Sequence, residues 1–363
     1  MKVLHVEAGR YLYGGARQVL YIMEGLHRQG VSNVLACPMG SDITGAAKGV
    51  AQVYEMKMGG DLDIGLVGRL KRLIRETQPD MVHLHSRRGA DIFGGLAARQ
   101  MKVPSVLSRR VDNPESSFWA KIKYRQFCHV IAISEGIRQV LLSEGVNPHH
   151  VTCVRSAVDP EPYLHDVSRV EFAREFQVPE EALVIGVVAQ LIERKGHRYL
   201  LEAMPEILQQ YPQVQVLFFG KGPLHDTLET EIKERKLEGH VKLAGFRTDL
   251  PQWLGGLDLL VHPADMEGLG VSLLQASAAA VPIIASDAGG LPEAVADAVT
   301  GKLIPPGDVA ALTRVTLELL GDEKLRKQYG QAGRKRIMKE FSIDAMVEGN
   351  MRVYEKCLAT DKK

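Results

Sequence analysis

Short apolar runs recur along this chain, each closing on a small or polar residue, and helical spacing fills most of the gaps between them. The first series is "KVLHV" (2–6), "SNVLACP" (32–38), "DMVHLHS" (80–86), "PSVLSRR" (104–110) and "HVIAIS" (129–134). None alternates cleanly between apolar and polar residues, so each suits a parallel strand buried on both faces. Residues 15–29 put Val19, Met23 and Leu26 on one helical face and stop at Gly30, which predicts the first helix. Strands alternating with helices define a doubly wound α/β domain.

The pattern breaks over "DPEPYLHDVSRVEFAREFQVPE" (159–180), where Pro160, Pro162 and Pro179 punctuate polar sequence. A second series follows: "LVIGVVAQ" (183–190), "VQVLFFG" (214–220), "VKLAG" (241–245), "LDLLVHP" (257–263) and "PIIAS" (282–286). A chain of 363 residues also exceeds what one core usually serves. We therefore expect two Rossmann-like domains, 1–165 and 166–344, facing each other across a cleft, with a C-terminal helix near 345–363 packing back on the first. In such sheets ligands bind beyond the carboxyl ends of the strands.

Charge and cysteine usage narrow the setting. Net charge is only +1, yet residues 1–165 carry 21 Lys/Arg against 15 Asp/Glu, and residues 69–125 alone carry 13 against 5. Such a basic stretch is either a solvated face or a docking surface for an anionic membrane or acceptor. No run is apolar enough to span a bilayer, and the opening "MKVLHVEAGR" reads as a strand rather than a signal peptide. Cys37, Cys128, Cys153 and Cys357 are scattered without paired spacing, so neither a disulfide framework nor a zinc site is expected. A cytoplasmic setting follows, with peripheral contact to the inner membrane as an option. Nucleic-acid-binding modules are absent from the sequence.

The stretch "MEGLGVSLLQASAAAVPIIASDAGGLPEAV" (266–295) concentrates the chemistry. Glycines at 268 and 270 are costly inside a helix but let backbone amides at a helix start approach an anion. Gly14 and Gly15 form a similar, weaker turn-to-helix signal; neither a dinucleotide fingerprint nor a phosphate-binding P-loop is complete there. Arg194 and Lys195 leave the strand 183–190 together and could neutralise a diphosphate. His83 and His85 share one face of their strand; His83 reads as a satisfied core residue, and His85, at the strand end, could hydrogen-bond a hydroxyl or a phosphate. No third metal ligand has suitable spacing, and no serine, cysteine or zinc hydrolase motif is present.

These motifs resemble the retaining glycosyltransferases of family 4, which have the GT-B fold. The resemblance rests on "ERKG" (193–196), "FFGKGP" (218–223), "VKLAGFRTDLP" (241–251), residues 258–295 and "TGKLIPPGD" (300–308). It extends more loosely through "YGGARQVL" (13–20), "MVHLHS" (81–86), "VIAIS" (130–134) and "VRSAVDPEPY" (154–163). The resemblance implies that Glu267 contacts the transferred sugar and that Gly268, Leu269 and Gly270 hold the diphosphate. It assigns Lys195 to the diphosphate and His85 to the reacting centre. Three positions depart from the family: Gln275 replaces the second Glu that grips the ribose, Gln190 replaces an Arg whose charge Arg194 could supply, and Ser156-Ala157 replaces Asn-Gly before Asp159.

The implied activity is retaining, metal-independent sugar transfer from a nucleotide-diphosphate sugar, with a UDP-sugar as co-substrate and no other cofactor. The expected acceptor is a cell-envelope glycoconjugate such as lipopolysaccharide core or another anionic glycolipid. A GT-B-fold sugar-nucleotide epimerase and a weakly active nucleotide-sugar-binding protein are the alternatives.

Overall fold

The computed structural model describes residues 1–12, 14–85 and 89–361, with side chains to Ala359. Tyr13 of the "YGGARQVL" motif, Ser86 of "MVHLHS", Arg87 and Arg88 of the basic stretch, and Lys362 and Lys363 lie outside the described residues. The chain forms two compact units, Met1–Ala157 with Ile343–Lys363, and Val158–Ser342. This division falls a few residues before the sequence break at 159–180.

The first unit holds seven strands: β1 (Lys2–Val6), β2 (Ser32–Pro38), β3 (Gln52–Met56), β4 (Met81–Leu84), β5 (Ser105–Arg109), β6 (His129–Ala132) and β7 (Val151–Cys153). All pair in parallel, in the order β3-β2-β1-β4-β5-β6-β7. The order reverses between β1 and β4, the position where open α/β sheets leave a crevice for ligands. Alternating strand residues serve two layers. Leu4, Val6, Val34 and Val82 pack with Leu66, Leu70, Leu73 and Ile74 of the helix Gly65–Thr77. On the opposite face Val3, Met81 and Val106 pack with Ile22 and Leu26 of the helix Gly14–Arg28 and with Val347, Val353 and Tyr354 of the helix Ile343–Asp361.

Two strands of this sheet escaped the sequence reading. β3 carries the polar, half-exposed sequence QVYEM, and β7 has only three residues, VTC. Both are edge strands, so neither needs the continuous apolar run that marked the central ones.

The second unit repeats the plan with β8 (Val184–Val188), β9 (Gln215–Phe219), β10 (Val241–Gly245), β11 (Leu259–His262), β12 (Ile283–Ser286) and β13 (Gly301–Ile304). The order is β10-β9-β8-β11-β12-β13, again all parallel. Its reversal lies between β8 and β11, whose carboxyl ends carry the Arg194-Lys195 turn and the loop to Glu267.

The cysteine expectation is corrected. Cys128, just before β6, is disulfide-bonded to Cys357 on the helix Ile343–Asp361, at a sequence separation of 229. Spacing could not show this pair, because only the return of the C-terminal helix to the first sheet brings the two sulfurs together. Cys37 and Cys153 take part in no disulfide among the described residues. Cross-linking so long a loop restricts the unfolded chain, an effect of about 2–4 kcal/mol. Cys357→Ser is therefore expected to lower the denaturation free energy by that amount under non-reducing conditions. Reductant should do the same to the wild type and nothing to the variant; a wild type indifferent to reductant would show that the bond does not form in solution.

Candidate functional site

In the second unit β8 leads into a one-turn 3-10 helix, Glu193–Lys195, which ends at Gly196 in the left-handed region (φ 70°). A Cβ at Gly196 would stand 2.0 Å from the Pro263 carbonyl oxygen, so only glycine lets this turn meet the loop after β11. Across that contact the Arg194 carbonyl accepts from Asp265 N at 2.9 Å, and Arg194 Nη1 donates to the Met266 carbonyl at 3.4 Å. The Lys195 ammonium is buried and forms an ion pair with Glu267 Oε2. Glu267 Oε1 accepts from Gly268 N at 3.0 Å. The structure thus brings together two residues that the sequence assigns separately, one to the diphosphate and one to the sugar.

Burial raises the pKa of the Glu267 carboxyl, but His262 and Lys195 more than offset this and hold it well below the usual carboxylate range. His262, at the end of β11, places Nε2 3.4 Å from Glu267 Oε2. Sequence reasoning missed His262 and His197, both buried. Among the described residues, the Nδ1 of His262 and both ring nitrogens of His197 lack hydrogen-bond partners. Burial lowers both pKa values, that of His197 to about 4. Buried unpartnered imidazoles mark room for a ligand or water that the fold itself does not satisfy. Their only sequence signal was position, one at a strand end and one directly after Gly196.

The glycines of 266–295 divide into two groups. Gly270 (φ 79°) starts the helix Val271–Ala278 without any side-chain cap; Leu273 N donates to the Gly270 carbonyl at 2.9 Å, which leaves the Val271 and Ser272 amides without a partner inside the helix. Gly289 and Gly290 serve packing. A Cβ on either would meet the carbonyl oxygen of Glu267 or Gly268 at 2.2 or 2.1 Å, and Gly290 N donates to the Glu267 carbonyl at 2.9 Å. They clamp the loop that carries the Lys195 partner. Leu269 sends its side chain into the core, so any ligand contact falls to its backbone. Gln275 is half-buried in the second turn of the same helix, and Gln190 is exposed.

In the first unit His85 lines a cavity of about 230 Å³ with Glu7, Asp91, Ser108, Arg109 and Arg110 among its neighbours. His5, His83 and His85 are all buried, and their ligand atoms lie within 4.8 Å of one another. Such a cluster could hold a metal, but His83 Nδ1 already pairs with Tyr354 Oη at 2.6 Å and Nε2 with Ser108 Oγ at 2.8 Å. Gly14 and Gly15 are the first residues of their helix. Among the described residues, a Cβ on Gly14 would meet nothing within 4 Å, and one on Gly15 would reach only Arg110 at 3.9 Å.

Residues 168–336 match the family described as Glycosyl transferases group 1, and residues 13–162 match Glycosyltransferase Family 4. The chain belongs to the family 4 glycosyltransferases. Among curated relatives, the 2-deoxystreptamine glucosyltransferase of Streptomyces kanamyceticus is 27% identical over 301 residues, 77% of this chain and 78% of the relative. A GDP-mannose-dependent alpha-(1-6)-phosphatidylinositol monomannoside mannosyltransferase of Mycolicibacterium smegmatis is 26% identical, covering 74% of each chain. Among solved structures, a glycosyltransferase from Rickettsia africae superposes with a TM-score of 0.88 at 19% identity over 98% of both chains. Anabaena Alr3699/HepE, solved with UDP-glucose, gives 0.84 at 20% identity over 99% of this chain and 100% of its own. These structures confirm the GT-B fold.

The basic face of this family 4 glycosyltransferase is smaller than its sequence suggests. Lys123 turns inward to Asp91 Oδ2 (2.6 Å) and Glu115 Oε1 (3.1 Å), and Glu115 also pairs with buried Arg109 at 2.8 Å. These contacts outweigh the burial that raises the Glu115 pKa and lower it to about 2. Arg69 is bound to Asp63. Lys121 and Arg125 remain exposed, beside Phe118, Trp119 and Ile122 at 71%, 65% and 49% exposure. No helix among the described residues is long and apolar enough to cross a membrane.

Proposed function

We propose that this glycosyltransferase moves a sugar, with retention and without a metal, from a UDP-sugar to a lipid-linked or otherwise anionic envelope glycan. The observation that carries the reading is the buried Lys195–Glu267 pair beside the uncapped helix start at Gly270. Bond cleavage at the anomeric carbon builds negative charge on the leaving diphosphate. Lys195 and the Val271 and Ser272 amides are the fixed donors that would stabilise it. Glu267, kept anionic by its neighbours, faces the opposite, oxocarbenium-like charge on the sugar. The leaving phosphate then accepts the proton of the attacking hydroxyl on the same face, and the configuration is retained.

The UDP preference draws on the Anabaena protein solved with UDP-glucose; the mycobacterial relative, named for GDP-mannose, sets the competing donor. A thermal-shift panel of UDP-, GDP- and ADP-sugars in excess chelator tests donor and metal together. A ligand at 100 times its dissociation constant adds about 2.7 kcal/mol. Stabilisation by a UDP-sugar supports the proposal. Stabilisation that appears only with added Mg²⁺ or Mn²⁺ overturns the metal-independent reading, and stabilisation by a GDP-sugar alone replaces the donor.

The lipid-linked acceptor is supported by Phe118, Trp119 and Ile122 standing exposed on the helix Ser117–Tyr124 next to Lys121 and Arg125. Aromatic and basic residues together suit the membrane interface. Each basic residue contributes on the order of 1 kcal/mol, weakened by salt. The protein is expected to sediment with anionic liposomes at low salt and to be released at high salt. Lys121→Glu with Arg125→Glu should abolish sedimentation without changing donor affinity, because the donor motifs belong to the other unit. Indifference of the wild type to anionic liposomes would remove the lipid reading.

A further inference from the structure

The histidine cluster of the first unit has a direction, and one asparagine sets it. Asn33 on β2 donates both Nδ2 protons, to the Met23 carbonyl at 2.9 Å and the Val50 carbonyl at 3.0 Å. Its Oδ1 can therefore only accept, and it lies 3.2 Å from His5 Nε2. That contact requires the proton of His5 on Nε2 and leaves Nδ1 as a lone pair. His5 Nδ1 lies 3.0 Å from His85 Nε2, so His85 must carry its proton on Nε2. What remains is His85 Nδ1, a buried lone pair without a hydrogen-bond partner among the described residues. The ring it belongs to lines the cavity beside Glu7.

The strand register makes the chain possible. His5 of β1 pairs with His83 of β4, and His85 lies two residues further on, so all three face one side of the sheet. His83 lies against His85 with ring centroids 3.7 Å apart and planes tilted by 40° and is itself held by Tyr354 and Ser108. Burial depresses all three pKa values, which agrees with neutral rings that must choose a tautomer.

We propose that Asn33 and His5 are positioning residues that lock His85 in its Nε2–H tautomer, so that its Nδ1 accepts a hydrogen bond from a hydroxyl of a sugar or polyol in this cavity. The ligand class follows from the lining. A bare imidazole nitrogen calls for a donor, and Arg110 Nε, buried without a partner among the described residues and part of the same lining, calls for an acceptor; a hydroxyl is both, and 230 Å³ is below the ~300–1,000 Å³ of drug-sized pockets, so one small ring is the natural occupant. The identity of the hydroxyl rests on the glycosyl-transfer reading above; the tautomer does not. A metal in the cluster would instead compete for the His5 lone pair and require His83 to abandon Tyr354 or Ser108.

Long-range proton–nitrogen NMR separates protonated from bare ring nitrogens and tests the lock directly on the full chain. The wild type should show His85 Nδ1 and His5 Nδ1 bare. His5→Leu should shift the His85 proton partly or wholly to Nδ1, and His5→Asn, whose amide oxygen stands near the lost nitrogen, should restore the original state. Titration with D-glucose should move the His85 Nδ1 resonance in the wild type, with affinity about tenfold weaker in His5→Leu, the value of one hydrogen bond. A protonated His85 Nδ1 in the wild type, or a His85 unaffected by His5→Leu, overturns the lock. Stoichiometric zinc binding that perturbs His5 Nδ1 overturns it in favour of a metal site. The expected tautomers with no response to glucose overturn the polyol half alone. Absence of sugar transfer with the tautomers as expected would instead count against the proposed function and leave the lock standing.

Discussion

Glu267→Ala is expected to lower turnover by about 100- to 1,000-fold, the usual cost of removing one preorganised group that acts on developing charge, while nucleotide affinity changes by no more than a few-fold. The split between turnover and affinity is the informative part, because an interaction realised only in the transition state depresses turnover alone. The same variant leaves the buried Lys195 ammonium without its partner. Removing one member of a buried pair typically costs about 3–5 kcal/mol, and the lower end applies here because Glu267 keeps 18% of its side chain exposed. Lys195→Ala should be destabilised similarly, with donor affinity down tenfold or more from loss of a charged contact worth ~1.5–3 kcal/mol. Turnover per folded molecule close to wild type in Glu267→Ala would reduce the pair to a structural clip between the two loops.

The second large effect is acid lability between pH 6.5 and 4. Burial pushes the pKa values of His5 and His197 down to about 4 and those of His83 and His85 well below the ordinary 6.5. In this window the unfolded chain takes up protons that the native state refuses, so stability is complete above pH 6.5 and is lost as pH falls toward 4. A shift of this size corresponds to about 3 kcal/mol for His5 and as much for His197. Several such groups together rival a typical total stability of about 5–15 kcal/mol. Acid unfolding is thus expected to begin well above pH 4. Glu267 moves the other way: its depressed carboxyl stays charged, and its contribution survives until the pH falls below the ordinary 4.5 toward its lower native value. Circular dichroism across an acid titration, repeated on His197→Gln, checks the account. A native signal and unchanged melting temperature at pH 4 would contradict it.

Most of the architecture was legible because central parallel strands are buried on both faces and declare themselves as apolar runs. The edge strands QVYEM and VTC and the strand Gly301–Ile304 did not, being polar or short, the last with only two apolar residues. The glycine-rich stretch 266–295 was readable as special, but its two purposes were not. Gly270 opens a helix, whereas Gly289 and Gly290 exist because backbone meets backbone. Contacts distant in sequence stayed hidden for a common reason. The Lys195–Glu267 pair, the inward turn of Lys123, the Cys128–Cys357 bond and the Asn33–His5–His85 chain each depend on which strands and helices lie side by side. A one-dimensional pattern does not carry that neighbour order.

The proposed reaction carries a sugar from a nucleotide diphosphate to an acceptor with its anomeric configuration kept. The most direct measurement incubates the protein, in chelator, with UDP-sugar labelled at the anomeric carbon and a bacterial envelope glycolipid fraction, and follows nucleotide release and the product by NMR. UDP is expected to be released one-for-one with glycosylated acceptor, dependent on that acceptor, with the product anomer matching the donor and with both signals lost in Glu267→Ala. An inverted anomer, an epimerised donor, or UDP released with free sugar at the same rate whether or not acceptor is present would contradict it.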